Sequence, residues 1–147
     1  MQKHLLVAGL LSIAFPAMAE IPVLTVLTYD SFTSEWGPGP AIEAAFEATC
    51  ACDLQFVAAG DGAALLSRVM IEGASTDADI VLGLDQNLIA AAQDSGLFAP
   101  HDLAGTDYSL PVDWSDADFA PFDWGYFAFI HDTTKVATPP RSFEDLA

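Results

Sequence analysis

This sequence predicts an α/β fold with a mostly parallel sheet flanked by helices, on three observations. The stretches Val23–Thr28 and Asp79–Leu84 are nearly continuous in apolar residues, as strands covered on both faces are. Between them the pattern switches to helical spacing, over Ala41–Thr49 and again over Ala63–Glu72. Each apolar run ends in a loop rich in acidic, aromatic or glycine residues that opens into a helix. Open α/β sheets place their ligand sites at such strand carboxyl ends.

The first strand is expected to stop at Tyr29-Asp30-Ser31-Phe32, and Trp36-Gly37-Pro38-Gly39-Pro40 reads as irregular because Gly and Pro punctuate it. A helix follows, with Pro40 in its favoured first turn. Its apolar face is expected to be Ile42, Ala45, Phe46 and Thr49, with Glu43 and Glu47 opposite. Asp53–Val57 alternates polar and apolar residues and reads as a second strand. The loop Ala58–Gly62 leads to a helix over Ala63–Glu72, capped by Asp61 and closed by Gly73, with Leu65, Leu66, Val69 and Met70 facing the core.

Asp79–Leu84 reads as the third and central strand. Leu88–Asp94 reads as a short helix closed by Gly96, then an extended Leu97–Pro100 and an aperiodic loop from His101 to Asp118. The aromatic stretch Phe119–His131 is expected to form a long strand, with Gly125 as a bulge or close-approach point. After a turn at Asp132–Lys135, Ser142 reads as the N-cap of a new helix with Asp145 at its third position. The sequence ends one turn later, which points to the front part of a longer protein.

The N-terminus reads as an export signal. A short basic start, an apolar run from Leu5 to Phe15 and the small-x-small site Ala17-Met18-Ala19 predict cleavage before Glu20. The apolar run is too short for a membrane span. The charge is lopsided, with 4 Lys+Arg against 21 Asp+Glu. That balance argues against nucleic acid as a partner, because binding it requires neutralising phosphates. A cation suits such a surface, although solubility alone explains many of the carboxylates. An apolar content of 52% excludes a disordered acidic tail. In an exported chain Cys50 and Cys52 are expected to pair as a structural disulfide. A zinc site is the weaker alternative for want of further ligands, and a redox site normally has two residues between its cysteines.

Several segments in order carry a resemblance: VLTVLTYDSF (23–32), WGPGP (36–40), CACDL (50–54), GDG (60–62), ADIVLGLDQNL (78–88) and PFDWGYFAF (121–129). Together they resemble the periplasmic thiamine-binding proteins of bacterial ABC importers, within the two-lobed solute-binding proteins related to the ferric-iron binders. The resemblance implies a type II periplasmic-binding-protein-like lobe with the second lobe largely missing. Residues 1–19 are then the signal peptide, 20–122 the first lobe, and 123–147 the crossover and start of the second lobe. It further implies a periplasmic monomer that captures thiamine or its phosphate esters for a membrane permease. No catalytic residue, cofactor or resident metal is implied.

By the same resemblance Asp61 and Gly62 are ligand contacts. A carboxylate can accept a hydrogen bond from the aminopyrimidine, and Gly lets backbone come close, but Asp61 also suits a plain helix cap. Three further candidates rest on the residues themselves. Tyr29 and Trp36 offer aromatic faces to a cationic thiazolium, or else pack in the core. Asp85 ends a strand on the same sheet edge, as a ligand contact or a cap. Asp123, Trp124 and Tyr126 fall where a crossover between lobes would run and are expected to form a hinge or cleft wall. His101 and His131 carry no expected role.

Two other readings remain. One keeps the fold and changes the solute to ferric iron or a polyamine. The other is a secreted hydrolase using Asp61 and Asp85, which lacks a Gly-x-Ser-x-Gly elbow, a His-Glu-x-x-His motif or an activated Cys-His pair.

Overall fold

The computed structural model of the protein describes residues 21–103 and 105–146. The expected signal segment and its cleavage site lie outside the described residues. The chain forms two compact units, one running to Leu97 and the other starting at Phe98.

The first unit is built on a three-stranded parallel sheet of order β2-β1-β3. β1 is Val23–Thr28, β2 is Asp53–Ala58 and β3 is Ile80–Leu82. Val26 lies between Phe56 on one side and Ile80 on the other, and Thr28 between Ala58 and Leu82. The central strand is therefore β1, and β3 is an edge of this sheet, contrary to expectation. Apolar continuity reports burial of side chains and carries no information on which strand has two neighbours.

β1 is followed after Tyr29 by a four-residue helix, α1 (Asp30–Thr33), where the sequence predicts a loop. Its Phe32 is fully buried and packs on Phe56 with ring centroids 5.0 Å apart. The turn that follows reaches α2 (Gly39–Glu47), entered through Pro38 and Pro40. The expected faces of α2 are corrected. Ala45, Phe46 and Thr49 are exposed, whereas Glu47 is half-buried and its Oε1 accepts from the Leu54 amide at 2.9 Å. At the edge strand β2 a free backbone donor outweighs the generic preference for carboxylates outside.

Cys50 and Cys52 are joined by a disulfide at the corner between α2 and β2. α3 (Gly62–Glu72) buries Leu65, Leu66 and Val69. Met70, expected inside, is 52% exposed. The helix is closed by Gly73 at φ +54 and followed by a 3₁₀ turn, Gly73–Ser75. α4 (Ile89–Ser95) ends on Gly96 in the left-handed conformation, the usual helix stop.

The chain order 1-2-3 against the spatial order 2-1-3 means that the connections leave β1 in one direction and return past it in the other. Right-handed crossovers then lie on opposite faces, and the direction switches between β1 and β3.

In the second unit, His101 and the loop 114–119 hold each other. The His101 amide donates to the Ala117 carbonyl at 3.0 Å, and the Leu103 amide donates to His101 Nδ1 at 3.0 Å. Nδ1 thus accepts, which leaves Nε2–H to donate to the Asp116 carbonyl at 3.1 Å. The Trp114 indole donates to the Phe119 carbonyl, and Phe98 packs on Phe119.

Phe119–His131 forms no strand. Its aromatic richness is real, but a strand needs a neighbouring strand, and none of the three described strands lies in or pairs with this segment. Gly125 is not a close-approach point either, because a Cβ there would meet nothing within 4 Å. At the C-terminal end, the Asp145 amide donates to Ser142 Oγ while Asp145 Oδ2 accepts from the Ser142 amide, both at 3.2 Å. This reciprocal cap opens a 3₁₀ turn, Glu144–Leu146.

Candidate functional site

All three strands are parallel, so their carboxyl ends share one rim of the sheet. β1 delivers Tyr29 and Asp30 to it, β2 delivers the loop Ala59–Asp61, and β3 delivers Gly83 and Asp85.

Asp61 sits at the N-cap of α3 in extended conformation, and its Oδ1 accepts from the Ala64 amide at 2.9 Å. The cap leaves Oδ2 uncommitted among the described residues. Gly62, the first residue of α3, is tightly enclosed. A Cβ there would come to 2.9 Å from the Gly83 carbonyl oxygen and 3.3 Å from Leu88 Cδ1. Glycine at this position therefore lets α3 start against the end of β3. Gly83 in turn has φ +116 and abuts the Tyr29 ring, with Tyr29 Cε1 2.9 Å from where a Cβ would stand. Tyr29 is half-buried and meets Phe32 edge-to-face at 5.6 Å. Tyr29, Gly83 and Gly62 thus interlock the ends of β1 and β3 with the start of α3, at the point where the sheet reverses direction.

The rest of the rim is held by carboxylates. Asp30 exchanges two hydrogen bonds with Gly60: its amide donates to the Gly60 carbonyl at 2.9 Å, and its Oδ1 accepts from the Gly60 amide at 2.8 Å. Asp85 is exposed and turns its Oδ1 onto the Asn87 amide at 2.8 Å, so it shapes the loop before α4. Trp36 is 81% exposed, on the turn after α1.

Arg68 is the only basic residue between 21 and 97, and it lies nearly two turns along α3 from the rim. Its Nε is paired with Glu72 at 2.7 Å. The charged residues of the rim, Asp30, Asp61 and Asp85, are thus all acidic, and no described group of His, Cys, Asp and Glu is arranged to hold a metal ion. Arg68 and Glu72 line a separate cavity of about 480 Å³ with Thr25, Gln55, Thr76 and Asp77, where the Gly73–Ser75 turn leads back toward β3.

Comparison with known proteins gives this geometry a context. The chain is 51% identical over 137 residues to the thiamine-binding periplasmic protein of Salmonella typhimurium, across 93% of this chain and 42% of that one. It is 51% identical to the protein of the same description in Escherichia coli, across 85% of this chain and 38% of that one. The Haemophilus influenzae relative is 43% identical over 97% of this chain and 43% of its own length. A solved periplasmic thiamin binding protein superposes with a TM-score of 0.80 at 47% identity, covering 92% of this chain and 42% of that chain.

Over the stretch it spans, the chain is homologous to proteins described as thiamine-binding periplasmic proteins. It spans about two fifths of the length of these relatives. No family model matches it.

The structure brings Tyr29, Asp61 and Gly62 to one rim, with Asp85 on the loop after β3. Asp123, Trp124 and Tyr126 belong to the second unit, where Trp124 and Tyr126 pack edge-to-face at 5.5 Å. Three rim residues escaped sequence reasoning: Asp30, Gly60 and Gly83. The Gly60-Asp61-Gly62 motif hinted at the second, since Gly60 adopts φ +86 to turn the chain into the cap. The roles of Asp30 and Gly83 depend on partners far away in sequence and leave no local signal.

Proposed function

We propose that this chain supplies the first lobe of a periplasmic solute-binding component of an ABC importer, with thiamine or its phosphate esters as the solute. The rim at the ends of β1, β2 and β3 takes the ligand, and the membrane permease receives it. No chemistry is done on the ligand. The lobe runs over residues 20–122 behind a cleaved signal peptide, 1–19, and residues 123–147 begin the crossover to a second lobe.

One observation supports this reading above the others: a rim whose charges are all acidic, flanked by aromatic rings at the switch in strand order, on a chain about half identical to proteins named for thiamine binding. In this reading Asp61 Oδ2 accepts from the aminopyrimidine while Oδ1 keeps the helix cap. Tyr29 and Trp36 offer ring faces to the thiazolium cation. Gly62 keeps the start of α3 low beside the ligand, and Asp85 contributes charge at the far side of the rim. Asp123, Trp124 and Tyr126 form the hinge or cleft wall that closure needs.

Calorimetry on the full-length protein tests the reading, with thiamine, putrescine and ferric ion titrated separately. Thiamine is expected to bind at micromolar concentration or tighter and the other two not at all. Tight binding of another solute with no response to thiamine overturns it.

A further inference from the structure

We infer that Asp30 is a positioning residue for the ligand loop Gly60–Gly62, an inference that rests on the thiamine reading above. Asp30 is the second residue past the central strand and stands 30 positions before Gly60. The backbone bond from the Asp30 amide to the Gly60 carbonyl continues the β1–β2 pairing beyond the strand ends, after the Ala59 amide has bonded the Thr28 carbonyl at 2.8 Å, and the Asp30 carboxylate adds a second bond from the Gly60 amide. Gly60 carries φ +86, which turns its amide toward the Asp30 carboxylate and delivers Asp61 directly into N-cap geometry.

Asp61 is therefore held from both sides. Its side chain is held by the Ala64 amide, and its backbone is held through Gly60 by Asp30. Without the Asp30 side chain, the Gly60 amide loses its acceptor in an exposed loop, and the loop must be ordered each time ligand arrives. Ordering on binding weakens affinity without removing any ligand contact. Asp30 acts here through its Oδ1 as an acceptor, not through its charge, so an asparagine in its place keeps the latch.

The test uses the full-length protein with Asp30→Ala, Asp30→Asn and Gly60→Ala. Three quantities are read: the thiamine dissociation constant, the amide exchange rate at position 60 without ligand, and the unfolding midpoint. Asp30→Ala is expected to weaken binding by about tenfold, the size of effect expected when one loop loses its pre-organisation. It should also speed exchange at Gly60 and leave the unfolding midpoint almost unmoved. Asp30→Asn is expected to restore both affinity and protection. Gly60→Ala, which strains the loop from its other side, should weaken binding with Asp30 intact.

If Asp30→Ala binds as the parent does, the positioning role is overturned and the thiamine reading stands. If Asp30→Asn is as weak as Asp30→Ala, Asp30 acts by charge on the ligand and the inference is wrong. If the parent itself ignores thiamine, the functional reading falls and takes this inference with it.

Discussion

The ring of Tyr29 lies against Gly83, in space that any Cβ would occupy. The contact joins the ends of β1 and β3 at the point where the sheet changes direction. Gly83 also sits at φ +116, where an L side chain is strained. Gly83→Ala is therefore expected to lose about 2–5 kcal/mol of stability, from overpacking and backbone strain together. Truncating the ring with Tyr29→Ala in the same chain should recover the packing part and leave the strain. Denaturant titrations of the two single variants and the double variant measure that coupling. Full additivity would mean that ring and glycine do not press on each other.

Asp61 has two separable jobs, and two substitutions divide them. Asp61→Ala removes the cap on α3 and should cost about 1 kcal/mol of stability, since the Ala64 amide loses its acceptor. Asp61→Asn keeps an oxygen in the same place and is expected to leave stability almost unchanged. Both variants should bind thiamine at least about tenfold more weakly, the scale of a lost charge-assisted hydrogen bond. Unfolding curves and calorimetry on the full-length protein check the two effects. Parent-like affinity in Asp61→Asn would reduce Asp61 to a cap.

Thr28 is fully buried on the central strand, and among the described residues its Oγ1 has no hydrogen-bond partner. A buried hydroxyl without a partner costs stability, while valine has nearly the same shape. Thr28→Val is expected to raise the unfolding free energy by about 1 kcal/mol. A loss of stability in that variant would show that the hydroxyl is bonded in solution.

Much of the first unit was legible because its signals are local. The strand at Val23–Thr28 announces itself by composition, and Asp61, Gly73 and Gly96 mark helix ends through chemistry that acts over one turn. The capping pair Ser142 and Asp145 was legible for the same reason. What failed was non-local. β3 looked central because apolar runs do not reveal their neighbours. Phe119–His131 looked like a strand because aromatic content cannot supply a pairing partner. α1 was missed because four residues carry no periodicity. At the rim, Asp61 could be found from the sequence as a cap, but the Asp30–Gly60 latch and the Tyr29–Gly83 contact arise only when the strand ends meet.

Glu72 offers a pH-dependent check on the far end of α3. Its Oε1 accepts from Arg68 Nε at 2.7 Å and its Oε2 from Thr76 Oγ1 at 2.8 Å. The bond from Arg68, reinforced by that from Thr76, holds the carboxyl below the ordinary glutamate range. Folding thus favours the charged form. The stabilisation is complete above the ordinary glutamate pKa and is lost as pH falls through the lower folded value. Because the pair is half-buried and still open to solvent, the effect on overall stability is small and salt-sensitive, and the titration itself is the better readout. A carbon-13 NMR titration should place the Glu72 midpoint below that of a free glutamate. In Arg68→Met the midpoint should move back up, with the Thr76 bond retaining part of the depression. An identical midpoint in both proteins would mean that the Arg68–Glu72 pair does not persist in solution.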